Sequence, residues 1–471
     1  MLNQTLQEKY PHLEISVLKF SEVQKDNESK RIDSEFFKKE YFDAMETMQL
    51  NQVEYLGDNM KFNSRYSQPK YDETSKIKVI NSQYIRNEYI DYENAKSGYG
   101  KIVPKESVLI NATGVGTLGR VFINILDFDF SIDSHINVIV VKNKTYLNPY
   151  FLAIFLQSYY GQIQIIRYYS GTSGQIEIYP RDFNYFKIPI FPMEFQLEIQ
   201  NLVKDSHKAL EESKELYKKA EETLYLELGL DPKNPLQSLL DSKTNNPANS
   251  PNISIHTLKE SFLKTGRLDS EYYQSKYEDI EKFIKSYPNG YDSFSSIINN
   301  KDTNFTPKNN ENYSYIELAN IGNNGNISEP ISDLGKNLPT RARRIVSKGD
   351  VIISSIEGSL SSCALITQEF DKHLVSTGFF VLNSKLLNGE TLLVMFKSQI
   401  FQEYLKKFPS GTILCAINKE ELSKILIPKI DSTTQEKIAK YIQESFNLRK
   451  KSKQLLDNAK IKVEEQIQGK I

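Results

Sequence analysis

The chain is written twice. Arg31 to Asp43 reads RIDSEFFKKEYFD, and Arg267 to Asp279, 236 residues later, reads RLDSEYYQSKYED. ESVLINATGVGTLGRVFI, from Glu106 to Ile123, matches GDVIISSIEGSLSSCALI, from Gly349 to Ile366, once a one-residue gap is allowed. Ser170-Gly171-Thr172 returns as Ser410-Gly411-Thr412 at an offset of 240, and Ile188-Pro189 returns as Ile427-Pro428 at 239. Four matches in one order at nearly constant spacing mark a tandem duplication of a unit of about 235 residues. The same fold must therefore be built twice. Length alone, 471 residues, would suggest about three domains.

Each copy ends in a strongly helical segment, expected over residues 194–229 and 433–471 and rich in Glu, Lys, Leu, Gln and Ala. In the first, a 3-4-3-4 spacing selects Ile199, Leu202, Ser206, Ala209, Ser213, Leu216 and Ala220. Adding 239 selects Ile438, Tyr441, Ser445, Leu448, Ser452, Leu455 and Ala459, and five of the seven pairs are identical. That spacing is a coiled-coil seam, and its small Ser and Ala residues let two backbones approach closely. Two matched seams in one chain pair most simply with each other. About 34 helical residues make a rod of roughly 50 Å, a ruler between two similar heads.

The stretches before the helices carry β-rich pieces such as KIKVI, SVLINAT and INVIVV and a helical piece, NPYFLAIFLQSYY. The expected fold class is α+β: two similar heads, residues 1–193 and 253–432, with a polar linker over 230–252 that contains DSKTNNPANSPN, and the two helices forming an intramolecular coiled coil. With 39% hydrophobic residues, each head can bury a core.

The net charge is −1, which excludes a uniformly basic coat but leaves room for local patches. Residues 61–105 hold nine basic and five acidic residues with six tyrosines interleaved, among them Arg65, Lys70, Lys76, Lys78 and Arg86. In the second copy RARRIVSKGD gathers Arg341, Arg343, Arg344 and Lys348. Basic residues mixed with aromatics suit phosphate and base contacts, and Arg makes forked contacts with phosphate or guanine. These nine residues are the candidate DNA-binding set.

Other chemistries find no support. GVGTLG, Gly114 to Gly119, matches a dinucleotide fingerprint in form, yet the next residues, RVFINIL, alternate like a strand where a helix is required. The five histidines and two cysteines show no metal-ligand spacing, and two cysteines leave no disulfide framework. No nucleophile elbow, Walker loop or amino-methyltransferase tetrapeptide appears. The N-terminus lacks a signal-peptide core and no apolar run reaches membrane-spanning length, so a cytoplasmic protein without membrane contact is expected.

The chain resembles the specificity subunit of type I restriction–modification systems. The resemblance covers essentially the whole chain. It rests on the order head, helix, head, helix, on VLINATGVGTLGRV, on SGTSGQIEIYPRDFNYFKIPIFPMEFQLEIQ, and on RIDSEFF and RLDSEYY opening the heads. The second copy departs at SGTILCAINKEEL, which lacks the second Gly and the Gln. The resemblance implies that each head is a target recognition domain reading half of a split double-stranded DNA sequence, with the two helices packed as an antiparallel coiled coil and setting the spacer. It implies a non-catalytic chain without a cofactor of its own. Its partners would be two modification subunits, which methylate adenine at N6 with S-adenosylmethionine and dock on the helices and adjoining head surfaces, and a translocase-nuclease restriction subunit using ATP and Mg. Two other readings stay open: the recognition subunit of a related system whose partner fuses methyltransferase and nuclease, and a tandem protein-binding adaptor that touches no DNA.

Overall fold

The computed structural model describes residues 2–241 and 255–470, apart from 14, 16, 26, 28, 29, 172, 173 and 412–414. The chain forms two compact units, Met1–Glu211 with Arg449–Ile471, and Glu212–Leu448. Their boundary cuts through two long helices, Met193–Glu227 and Ser432–Ile467. Each unit is thus one head plus parts of both helices. Within the expected linker, Pro235–Asp241 is helical and its Leu239 is buried in the core of the second unit, so that part is not free chain. Residues 242–252 lie outside the described residues.

The first unit holds a four-stranded antiparallel sheet in the order Met60–Arg65, Ile136–Val141, Val108–Asn111, Val121–Ile123. Three of its strands, VLIN, VFI and INVIVV, are largely apolar and buried because both faces are covered, whereas the edge strand MKFNSR is not. Val108, Ile110, Val121, Ile123 and Ile139 face one core, which contains the helices Pro149–Gln157 and Tyr159–Tyr168. Leu109, Phe122, Ile136 and Val138 face the other. A second sheet runs in the order Lys70–Tyr71, Lys96–Tyr99, Lys78–Ile80, Phe130–Ile132, its last pair parallel. Val53–Tyr55 pairs with Lys187–Pro189 just before the long helix.

The second unit repeats this plan. Ile298–Asn300, Phe379–Ser384, Val351–Ser354 and Cys363–Leu365 form the antiparallel sheet, and Tyr291–Ser293 pairs with Leu426–Pro428. Its second sheet differs at the edge: Ile331–Leu334, Asn312–Ile316, Leu374–Ser376, Ala342–Ile345. The matching edge of the first head has one bridge, Ile102 to Ser131, in place of the Ala342–Ile345 strand.

The motif that opens each copy does the same work in both. Arg31 forks onto Asp33 and donates to the carbonyls of Arg167 and Tyr169. Arg267 forks onto Asp269 and donates to the carbonyls of Lys407, Phe408 and Pro409. Ser170 pairs with Glu177 and Ser410 with Ala416, so the second copy keeps the bridge with one residue fewer.

The long helices pair within each unit. In the first, the hydroxyls of Ser206 and Ser452 meet at 2.9 Å and Lys462 pairs with Glu198 at 2.9 Å. In the second, Ser213 meets Ser445 at 3.1 Å and Thr434 donates to Glu227 at 2.8 Å. Residue numbers ascend on one helix as they descend on the other, so the pairing is antiparallel in both. Ile199, Ser206, Ser213, Ala220, Ile438, Ser445, Ser452 and Ala459 are all buried. The alternate positions are shifted by one residue. Val203, Tyr217, Ile442 and Leu456 are buried, whereas Leu202, Leu216, Tyr441 and Leu455 are half-buried beside them. Ala209 shares its turn with buried Leu210, and Leu448 is half-buried next to half-buried Arg449. At several of these steps neighbouring residues are both apolar, and periodicity alone cannot choose between a 3-4 and a 4-3 step.

Candidate nucleic-acid interface

The outer ribbon of the second sheet in the first head carries exposed cations. Lys70 lies directly opposite Tyr99, and both are exposed, as are Tyr71, Lys76 and Lys96. Lys78 is half-buried, its Nζ donating to the carbonyl of Ala95 at 2.8 Å. Arg86 folds back onto the carbonyls of Gln83 and Ile85. Arg120, which composition did not single out, lies close by and donates to Gly116 and Ile85; burial and the charge of Arg86 push its pKa down.

Arg65 belongs to the interior architecture. Its guanidinium is held by the Glu177 carboxylate and the Ile178 carbonyl, and its side chain is 17% exposed. It also lies 5.7 Å from the ring of Tyr179, whose other neighbour is Arg181 at 5.4 Å. Arg181 is 67% exposed, so this half-exposed Tyr-Arg pair is a candidate contact that lies outside any basic cluster of the sequence.

In the second head RARRIVSKGD is not one basic strip. Arg341 and Lys348 are exposed. The ladder to Leu374–Ser376 pairs Ala342 with Ser376 and Arg344 with Val375, leaving Arg343 as the extra residue of a bulge. Bulges re-aim a side chain, and the Arg343 Nε here donates to the Thr340 carbonyl at 2.8 Å. Arg344 turns inward, donating to the Phe379 carbonyl at 2.6 Å, and burial lowers its pKa. On the matching edge of the first head, Lys101 packs its Nζ 4.8 Å from the Phe62 ring and 4.7 Å from that of Tyr66. Lys336 and Lys372 are further exposed cations of the second head.

The glycines of GVGTLG all adopt positive φ, between 79° and 91°, and the segment links two antiparallel strands. Phosphate binding of the dinucleotide kind needs a helix N-terminus here, and the chain instead enters the strand Val121–Ile123. Among the described residues no cluster of His, Cys, Asp or Glu could hold a metal ion. No helix among them is long and apolar enough to cross a membrane.

The family model for the type I restriction modification DNA specificity domain matches residues 43–222, from within the helix Lys39–Met48 into the first long helix. Residues 43–222 are thus similar to a type I restriction modification DNA specificity domain. Over 129 residues the chain is 29% identical to the specificity subunit of the type I restriction enzyme HindI of Haemophilus influenzae, a match covering 26% of this chain. The matched part spans 28% of that relative's length. Among solved structures, the S subunit of a type I restriction–modification system from M. genitalium is similar with a TM-score of 0.41 at 13% identity, over 89% of this chain and 95% of that one. The HsdS subunit from Thermoanaerobacter tengcongensis gives 0.27 at 15% identity, over 89% and 97%. The matched family domain takes in the ribbon bearing Lys70, the Tyr179–Arg181 pair and the first helix seam from Ile199 to Ala220.

Proposed function

We propose that this chain is the DNA-reading subunit of a type I restriction–modification complex. One observation supports the reading: the antiparallel sheet of the half that matches the specificity domain recurs in the second half, and each copy runs into a paired helix. One head reads one half-site. A single head of this kind buries roughly 1,000 Å² on DNA and discriminates weakly against a genome. Two heads joined by stiff helices multiply their selectivities through effective concentration, and the helices set the spacer.

The exposed cations Lys70, Lys76, Arg341 and Lys348 contact phosphate, with Arg343, Lys78 and Arg86 at the margin. Arg65 and Arg344 shape the heads from inside. The chain supplies recognition, and catalysis belongs to its partners: two modification subunits that use S-adenosylmethionine to methylate adenine, and a restriction subunit that needs ATP and Mg. This chain binds none of those cofactors itself.

Selection from random duplex DNA, with and without the modification subunit, tests the reading. A split motif with a fixed gap is the expected result. No sequence enrichment under either condition would overturn it.

A further inference from the structure

Each long helix begins with a buried glutamine whose whole amide is used. Gln196 is 0% exposed; its Nε2 donates to the carbonyls of Tyr146 at 3.0 Å and Phe191 at 2.8 Å, and its Oε1 accepts from the Asn148 amide at 2.7 Å. Gln435 is 8% exposed and repeats the set, donating to Leu386 at 3.0 Å and Ile430 at 2.9 Å and accepting from the Asn388 amide at 2.9 Å. Asn148 and Asn388 are themselves the N-caps of the buried helices Pro149–Gln157 and Gly389–Lys397. Their side chains return to the long helix, Asn148 to Gln200 Oε1 at 2.9 Å and Asn388 to the Gln435 carbonyl at 3.1 Å.

We propose that Gln196 and Gln435 are positioning residues that determine spacer specificity, each fixing the angle at which a recognition head leaves its helix. The proposal rests on the DNA-reading function above. Apolar packing around Ile199 and Ile438 holds head to helix but is non-directional and tolerates rotation. Three hydrogen bonds from one planar amide, all to backbone, fix an azimuth. Both donors of the amide are satisfied, so any rotation strands a buried polar group. One base pair is ~3.4 Å of duplex axis. Rejecting a gap wrong by a single pair therefore demands heads placed to within that distance, a tolerance that an unlocked joint does not meet.

The test uses the full chain with its modification subunit and a duplex library in which the gap between fixed half-sites varies one base pair at a time. Gln196→Met and Gln435→Met keep length and lose every bond. Both should retain the base preference in each half-site while discrimination against a gap one pair too long falls about tenfold, ~1.4 kcal/mol. Equal weakening at every gap, or a lowered melting temperature with an unchanged gap profile, overturns the proposal and leaves the glutamines merely structural. If the methionine variants do not fold, Gln200→Met decides, because it removes only the outer bond to Asn148: a profile broadened about threefold supports the joint and an unchanged one overturns it. Failure of the wild-type chain to select any split site is a different result, which removes the DNA reading itself.

Discussion

Two kinds of cation share the same short basic stretches, and burial separates them. Lys70, Lys76, Arg341 and Lys348 reach solvent, whereas Arg65 and Arg344 are tied to carbonyls and, for Arg65, a carboxylate. Each phosphate contact contributes ~0.9 to the slope of log affinity against log salt. Replacing Lys70 and Lys76 together by Ala should flatten that slope by up to about twice this amount. Arg65→Ala should instead cost ~2 kcal/mol of stability by leaving buried partners of a charged group unpaired, with the slope unchanged. A salt titration of binding beside a thermal melt separates the two. The cysteines diverge in the same way. Burial pushes the thiol of fully buried Cys363 up to about 12, while Cys415 is partly exposed and raised by partial burial and its bond to Glu357. Only thiolate reacts, and a raised pKa keeps the thiol protonated until higher pH. The native chain at pH 8 should take up one equivalent of maleimide, slowly and faster as pH rises, and two after denaturation; mass spectrometry should find the first on Cys415. Nothing in the sequence around Arg65 announces its role, because Glu177 and Ile178, its partners, lie 112 and 113 residues away.

At the scale of elements, the helix seam shows where periodicity informs and where it stops. The seven-residue spacing of Ile199, Ser206, Ser213 and Ala220, repeated at 239 residues, fixes which face is buried. The steps between are ambiguous wherever two apolar residues adjoin, as Leu202 and Val203 do, and packing selects Val203. The buried serines are satisfied across the pair, Ser206 donating to the Ser452 carbonyl at 2.8 Å and Ser445 to the Ser213 carbonyl at 2.7 Å. Removing both hydroxyls of a pair leaves no orphan, so Ser206→Ala with Ser452→Ala should cost under about 1 kcal/mol. Ser206→Leu inserts volume where two backbones are close and should cost ~1–3 kcal/mol, read by denaturant unfolding. If the leucine variant were the more stable of the two, the close-approach account of the seam would be wrong.

For the whole molecule, the first compact unit is discontinuous in sequence, whereas the second is the single stretch Glu212–Leu448. The core of the first head is closed by Leu456, Ala459, Val463 and Ile467, which come from the far end of the chain, and Asn51 donates to the Ile467 carbonyl at 2.9 Å. Burying a Leu, Val or Ile side chain contributes ~1.5–3 kcal/mol. A chain ending after Leu448 should therefore lose roughly 5 kcal/mol or more from the first unit, an early calorimetric transition of that unit being the sign. An unshifted transition would show that the first unit does not need the second helix. Sequence by itself determined the duplication, the α+β class, the two helices and their buried face, because these rest on local pattern and on patterns that repeat. It also indicated which stretches are basic. Tertiary structure decided which of those cations face solvent, which of two neighbouring residues enters the seam, where the compact units divide, and what Gln196 and Gln435 hold. Those outcomes depend on partners brought from distant positions. Burial and hydrogen-bond satisfaction are properties of the assembled neighbourhood and not of the residue that carries the charge or the amide.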